Sequence, residues 1–213
     1  MKKGAIFDLD GTLVFSPGLH VEAWKNLFNL YQITLTEEEL KEQAGYKNVV
    51  FIKKVLERRK IDHLDIQKLS DQKDEMVIEI LKADPAKVFP GVEELLKLLK
   101  SNRIKLALAT NATKKTALVL GQKLILYFDT EIFAEDVEHG KPDPEIFLKA
   151  AKNLKLASNE CIVFEDAENG VATAKAGGFF CIARDNNLGQ NLSAADLIIN
   201  DYRPQKLLKL FIG

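Results

Sequence analysis

Apolar and polar residues follow one another along this chain in blocks that predict short buried strands separated by amphipathic helices. The first block, residues 4–9, is an apolar run that ends abruptly in acid and glycine, as a buried strand does. From residue 92 onward the predicted helices span 92–100, 114–120, 144–154, 171–176 and 204–211, and the predicted strands span 104–109, 131–133, 161–164, 179–183 and 197–199. Strands that alternate with helices of this length indicate an α/β fold with a parallel sheet covered on both faces.

Residues 16–87 have a different pattern, with apolar positions at helical spacing and no strand signal. Thr36 and Glu39 form a plausible capping box, which marks a helix start. Apolar stripes that predict helices include Leu19, Ala23, Trp24, Leu27, Tyr31, Val49, Ile52, Val55, Leu56, Met76, Val77 and Ile80. We therefore predict an all-helical cap, residues 16–87, inserted into a core built from residues 1–15 and 88–213.

Composition limits the function further. The chain has 30 basic and 31 acidic residues, so its charge gives no general reason to bind nucleic acid or a membrane surface. No apolar stretch approaches the roughly 18 residues of a membrane span, and the N-terminus does not resemble a secretory signal. Cys161 and Cys181 lie in strand-like runs, so buried reduced thiols are expected. These features predict a cytoplasmic protein.

Polar residues stand where three of the predicted strands end. Asp8 and Asp10 follow the first strand, Thr110 and Asn111 the second, and the pair 165–166, Glu-Asp, follows the strand at 161–164. Ligands of open parallel sheets bind beyond these carboxyl ends. The sequence therefore places its candidate site at this edge of the sheet.

The acidic residues among these suit a hard metal ion. Side chains two positions apart on an extended segment point the same way, so Asp8 and Asp10 would face a common site. A site with two close carboxylates and no histidine or cysteine favours Mg²⁺ as the bound metal ion. We predict Asp8, Asp10 and Asp166 as metal-binding residues, with Glu165 supporting them from behind or through water.

The same arrangement predicts phosphoryl transfer. A carboxylate that attacks a phosphate ester must approach a dianion, and Lys141, in the proline-containing loop 140–144, would reduce the repulsion. Thr110 and Asn111 carry donors for the phosphoryl oxygens. Asp8 would be the nucleophile and Asp10 the acid and base.

At these residues the chain resembles the haloacid dehalogenase superfamily, in particular its phosphatases with a helical cap. The motifs that carry the resemblance extend over essentially the whole chain and read Phe7-Asp8-Leu9-Asp10-Gly11-Thr12-Leu13, Thr110-Asn111, Gly140-Lys141-Pro142-Asp143-Pro144-Glu145 and Phe164-Glu165-Asp166-Ala167-Glu168-Asn169-Gly170. The resemblance implies a Rossmann-like, doubly wound core, Mg²⁺ as cofactor and a small phosphate ester as substrate. It also implies that Thr110 and Lys141 bind phosphate and that Asp166 is a metal ligand.

Within this superfamily the chain is similar to the β-phosphoglucomutase-like subgroup, whose cap begins with a His-x-x-x-Trp pattern seen here at His20 and Trp24. In the mutase that histidine couples cap closure to the acid/base aspartate. The cap loop that carries a phosphate-binding arginine in the mutase reads 45–48, Gly-Tyr-Lys-Asn, with Asn48 in the arginine's place. Lys47 or Lys73 could supply positive charge instead. Because a bidentate arginine is missing, the sequence favours hydrolysis over mutation of a phosphosugar.

Several alternatives stay open at this stage. His20 has two interpretations, as a structural histidine of the cap or as a functional one, whereas His63 and His139 are expected at the surface. A phospho-acceptor signalling domain also combines an acidic cluster, a hydroxyl and a lysine, although its acceptor aspartate would lie on a later strand. A binding protein without activity is the third alternative. We expect no nucleic-acid or membrane partner and a monomer or weak dimer.

Overall fold

The computed structural model describes residues 1–212, together with every side chain among them except that of Pro17. Its strands are β1 Gly4–Phe7, β2 Val14–Phe15, β3 Lys87–Val88, β4 Lys105–Ala109, β5 Thr130–Ile132, β6 Cys161–Glu165, β7 Phe180–Arg184 and β8 Leu197–Ile199. Its α-helices are α1 Pro17–Leu30, α2 Glu37–Glu42, α3 Asn48–Arg58, α4 Ile66–Ala83, α5 Val92–Ser101, α6 Lys114–Gly121, α7 Glu145–Leu154, α8 Glu168–Ala176 and α9 Pro204–Ile212. Short 3₁₀ helices span Gln122–Tyr127, Ala134–Asp136 and Ser158–Glu160.

Six of the strands form one parallel sheet in the order β5-β4-β1-β6-β7-β8. Strand β1 lies inside the sheet, between β4 and β6, so its residues are buried on both faces. Ala5 and Phe7 face the layer of α5, α6 and α9, and Ile6 faces α7 and α8. The α/β fold with a doubly wound parallel sheet is therefore confirmed.

The cap helices α1–α4 enclose a hydrophobic core of their own. Trp24 packs against Phe28 and Phe51, with ring centroids 5.9 and 4.9 Å apart. The capping box at the start of α2 is present, since Thr36 Oγ1 accepts from Glu39 N and Glu39 Oε2 accepts from Thr36 N. The exact domain limits at residues 16 and 87 stay a prediction.

The structure contains one short strand pair that the sequence did not predict. Residues 16–87 were expected to contain no strand, yet Lys87 and Val88 form β3, which pairs antiparallel with β2 where the chain leaves and re-enters the core. This expectation was wrong because a two-residue strand is too short for a periodic pattern. The Phe15 and Phe89 rings, 5.8 Å apart, pack edge to face beside this ribbon.

Helix α8 also begins earlier than predicted, at Glu168 rather than Val171. Its first turn, 168–170, is Glu-Asn-Gly and resembles a loop by composition. No helix within the described residues is long and apolar enough to cross a membrane. Cys161 and Cys181 are both buried free thiols, as expected.

Candidate active site

The carboxyl ends of β1, β4 and β6 meet below the cap, as the sequence predicts. A cavity of about 380 Å³ lies between them and the cap helices. The core contributes Asp8, Asp10, Thr110, Asn111, Glu165 and Asp166 to its lining, and the cap contributes His20, Trp24, Leu40, Gln43, Tyr46, Asn48 and Lys73 among others. His63, His139 and Lys47 are not part of this lining.

Gly11 allows the chain to turn sharply after Asp10. Its φ is +70°, and a Cβ at this position would lie 2.0 Å from Asp166 Oδ2. The next residue, Thr12, donates from Oγ1 to Asp166 Oδ1 at 3.0 Å. The turn therefore brings β1 and β6 close enough for their carboxylates to share one site.

Lys141 lies at the centre of the acidic residues. Its ammonium donates to Asp8 Oδ1 at 2.5 Å and to Glu165 Oε1 at 2.6 Å, and the residue is only 2% exposed. Burial would lower the pKa of Lys141, but the two carboxylates outweigh burial and raise it. The side chain is thus a permanent cation behind the nucleophile candidate.

Three carboxylates lie together at this point. Asp8, Glu165 and Asp166 each offer an oxygen, and these oxygens lie within 4.8 Å of one another. Burial raises the pKa of Asp8 to about 8, with Glu165 and Asp10 adding to the shift and Lys141 opposing it. Burial and the neighbouring Glu165 also raise the pKa of Asp166. One lysine therefore does not supply enough positive charge for this cluster.

The donor set fits a hard divalent cation. It consists of oxygens alone, and its raised carboxyl pKa values would fall if a cation entered between the carboxylates. Asp8 and Asp166 are the side chains best placed to hold Mg²⁺. Glu165 Oε1 accepts from the Lys141 ammonium, and its Oε2 accepts from the backbone N–H groups of Asp166 and Ala167 at 2.8 and 3.1 Å. Each Asp166 oxygen accepts only one neutral hydrogen bond, from Thr12 or from Asn186. Glu165 therefore supports the site from behind.

The Asp10 carboxylate, which is predicted to bind metal beside Asp8, contacts the cap. Its Oδ1 accepts from Ser16 Oγ at 2.7 Å and contacts His20 Nε2 at 2.5 Å, so the side chain is directed to the cap. Asp10 is not among the three carboxylates that lie together, and its part in metal binding stays a prediction.

The contact with His20 also sets the charge of Asp10. Burial alone would raise the pKa of Asp10, but His20, Ser16 and Lys73 together lower it. Lys73 Nζ lies 2.8 Å from His20 Nδ1, and burial lowers the pKa of Lys73 to about 8. At neutral pH the ammonium can only donate, so Nδ1 accepts and the ring proton lies on Nε2, facing Asp10. A continuous hydrogen-bonded chain thus joins the cap to the candidate acid/base.

Two of the predicted substrate-binding side chains make other contacts. Lys47, expected to offer positive charge to the substrate, donates instead to the carbonyl oxygens of Val137 and Glu138 at 2.7 and 3.3 Å. The Asn111 amide donates to Gly45 O at 2.7 Å, while its buried Oδ1 has no partner. The position of Lys47 just before α3 directs its side chain to the core loop, and its contact with the substrate stays a prediction.

Some residues of the site were missed in the sequence. Asn186 donates from Nδ2 to Asp166 Oδ2 at 2.9 Å, and Tyr202 donates to the carbonyl of Thr12 at 2.8 Å. Asn186 follows β7, so the rule of polar residues at strand ends could have found it. In the cap, Asp74 accepts from Asn48 Nδ2 at 2.8 Å and from Thr113 Oγ1 at 2.6 Å. No sequence pattern marks such a contact between distant helices.

Comparison with known proteins agrees with this arrangement. A family model described as haloacid dehalogenase-like hydrolase matches residues 2–178. A phosphorylated carbohydrates phosphatase from Thermotoga maritima is 32% identical over 216 residues, covering 98% of this chain and 97% of that protein. A β-phosphoglucomutase from Bacillus subtilis is 29% identical over 202 residues, covering 92% of this chain and 88% of that protein.

A solved structure shows the same fold over nearly the full length. The crystal structure of a β-phosphoglucomutase from Clostridium difficile superposes with a TM-score of 0.85 at 25% sequence identity, covering 99% of this chain and 97% of that chain. The family model matches most of the chain, and the phosphatase from Thermotoga maritima is 32% identical over almost all of it. Each of these two findings shows which family the chain belongs to. This protein belongs to the haloacid dehalogenase-like hydrolase family.

Proposed function

We propose that this enzyme is an Mg²⁺-dependent phosphatase of a small sugar monophosphate and that Asp8 carries the phosphoryl group during turnover. The observation that carries the proposal is the buried cluster of Asp8, Glu165 and Asp166 around Lys141. The phosphatase from Thermotoga maritima supports phosphorylated carbohydrates as the substrate class. Family membership disfavours the alternatives of a phospho-acceptor signalling domain and of an inactive binding protein.

In the first step, a carboxylate oxygen of Asp8 attacks the phosphorus atom and the bond to the sugar oxygen breaks. Asp8 Oδ1 accepts from Lys141, which leaves Oδ2 for the attack. Thr110 Oγ1 accepts from Ala112 N at 3.1 Å, so its hydroxyl proton is available to a phosphoryl oxygen. When bound, Mg²⁺ supplies charge neutralisation for the phosphoryl group and for the carboxylates that hold it.

Asp10 would accept the proton of the water that attacks in the second step and would donate this proton to the leaving oxygen of the next ester, so that one proton passes through it in each turnover. Its carboxylate is held by Ser16 and His20 and lines the same cavity as Asp8. Water attack on phosphorus then breaks the bond to Asp8 and releases inorganic phosphate. One carboxyl group would thus serve as acid and base in turn.

The cap contacts support hydrolysis over transfer to a second sugar position. A mutase has to hold another phosphate in its cap, and here Asn48 is bound to Asp74 while the Lys47 ammonium is bound to Val137 and Glu138. The cap ammonium groups that line the cavity are those of Lys41, which is exposed, and Lys73, which contacts His20. This arrangement favours a substrate with one phosphate.

Removal of the metal is expected to abolish hydrolysis of an aryl phosphate. Without a cation the raised pKa of Asp8, about 8, leaves much of this side chain protonated at neutral pH and unable to attack. Activity should fall to background in excess chelator and return when Mg²⁺ exceeds the chelator. Turnover that persists in chelator would exclude the proposed role of the metal.

Hydrolase and mutase activity can be separated with one substrate. The protein is incubated with β-glucose 1-phosphate and a trace of glucose 1,6-bisphosphate, and free phosphate and glucose 6-phosphate are both measured. We expect phosphate to be released with little isomer, since neither arginine of the cap, Arg58 or Arg59, lines the cavity, where it could hold a second phosphate. Stoichiometric formation of glucose 6-phosphate with little free phosphate would show a mutase instead.

A further inference from the structure

Lys47 belongs to the cap by sequence, yet its ammonium is buried against the core. The residue precedes α3, is 8% exposed, and donates to Val137 O at 2.7 Å and to Glu138 O at 3.3 Å. Burial lowers the pKa of Lys47, and the nearby carboxylates of Glu145 and Glu135 oppose that shift. Lys47 is a cap residue and both of its carbonyl acceptors are in the core, so its two hydrogen bonds join the cap to the core.

The loop that receives Lys47 leads directly to Lys141. On its other side, the Glu145 carboxylate accepts from Glu138 N at 3.0 Å and from His139 N at 2.7 Å. Residues 137–140 are therefore held between a core carboxylate and a cap ammonium. The next residue is Lys141, whose ammonium binds Asp8 and Glu165.

Gly140 makes room for the stem of Lys47. A Cβ at position 140 would lie 2.7 Å from Lys47 Cγ and 2.9 Å from Lys47 Cδ, closer than real Cβ contacts. The fit between the lysine stem and the loop backbone is thus steric as well as polar. It exists only while the cap lies against the core.

We propose that Lys47 is a positioning residue that latches the closed cap onto the loop carrying Lys141. The inference rests on the proposed function for its kinetic consequence, because closure would complete the site only when the loop and Lys141 are in place. It gives Lys47 a role that does not involve contact with the substrate.

The test compares Lys47→Met with Lys54→Met. Methionine keeps the apolar stem and removes the ammonium. Lys54 is a matched control because it lies on α3 and its hydrogen-bond partners among the described residues, Glu42 and Tyr46, are both in the cap. Trp24 is the one tryptophan in the chain, is 2% exposed and lines the cavity, so its quenching by acrylamide reports cap opening.

We expect Lys47→Met to raise the quenching constant of Trp24 and to lower kcat/KM for an aryl phosphate by about tenfold, the effect of losing one buried charged hydrogen bond. Lys54→Met should have the same quenching constant and the same kcat/KM as the wild type. Gly140→Ala, whose Cβ would obstruct the lysine stem and would also lie 3.0 Å from Asn111 Nδ2, should raise quenching too. If Lys47→Met does not fold, Lys47→Gln, which also removes the ammonium, takes its place.

The latch would be overturned if the quenching constant of Trp24 in both Lys47→Met and Gly140→Ala equalled that of the wild type. It would also be overturned if Lys54→Met raised this constant as much as Lys47→Met does. The quenching measurement needs no turnover, so it separates the two proposals. If the wild type hydrolyses no phosphate ester, the proposed function fails while a selective rise in Lys47→Met quenching still supports the latch.

Discussion

Replacement of Asp8 by asparagine is expected to reduce kcat for any phosphate ester on the order of 10⁴-fold or more, to the background of the assay. The amide has nearly the same size, and its oxygen can still accept from Lys141, but it cannot form the acyl phosphate. A generic aryl phosphate assayed with saturating Mg²⁺ provides the measurement. Asp62→Asn, the same change at an exposed cap position, should leave kcat at the wild-type value.

The same substitution should not weaken the fold. Because burial raises the pKa of Asp8 to about 8, this group destabilises the fold increasingly as the pH rises from its unfolded pKa near 4 to its folded pKa. Asparagine removes that destabilisation, so thermal unfolding in chelator at pH 7 should occur at the wild-type temperature or above it. Full activity in a folded Asp8→Asn protein would rule out the covalent route.

Replacement of Lys141 by methionine should damage both activity and stability. Lys141 is buried between Asp8 and Glu165, so methionine fills the space but leaves two buried carboxylates without their cation. We expect kcat/KM to fall by about 10²–10³-fold and the free energy of unfolding by about 3 kcal/mol, as when one partner of a buried ion pair is removed. Lys152→Met, at an exposed position of α7, is the matched control.

The pH dependence of the Lys141→Met defect follows from the sign of the pKa shift. Lys141 lowers the pKa of Asp8 at present, so its loss raises that pKa further. A carboxyl group with a raised folded pKa destabilises the protein above its unfolded pKa, by an amount that grows with pH until the folded pKa is reached. The two proteins therefore differ through Asp8 only above about pH 8, where the wild-type carboxyl ionises, and the stability difference should shrink as the pH falls from 9 to 8. A difference that is constant over this range would show that Lys141 acts through packing alone.

The core half of the site could be predicted from the sequence because it depends on strand ends. Asp8, Thr110 and Asp166 each follow an apolar run, and a parallel sheet brings such ends together whatever the details of packing. Lys141 is predicted from the need for a cation beside the phosphate and from its proline-containing loop, and the resemblance implies the same role. The structure adds that Lys141 holds Asp8 and Glu165 directly.

The cap half could not be predicted to the same depth. Lys47 and Asn48 are neighbours, yet one reaches the core loop and the other reaches Asp74 on α4. Which way each side chain points depends on the angle at which α3 meets the core. That angle results from packing between distant helices, and no periodic pattern in the sequence records it.

The measurement that tests the covalent role of Asp8 most directly is chemical trapping in an Asp10→Asn variant. A nitrophenolate leaving group needs no proton, so this variant should still transfer the phosphoryl group to Asp8 and should then stop, because water is no longer activated. After acid quenching, borohydride reduces an aspartyl phosphate to homoserine, which peptide mass spectrometry locates. We predict homoserine at position 8 in the presence of Mg²⁺ and aryl phosphate. Unmodified Asp8, or homoserine at another aspartate, would contradict the account.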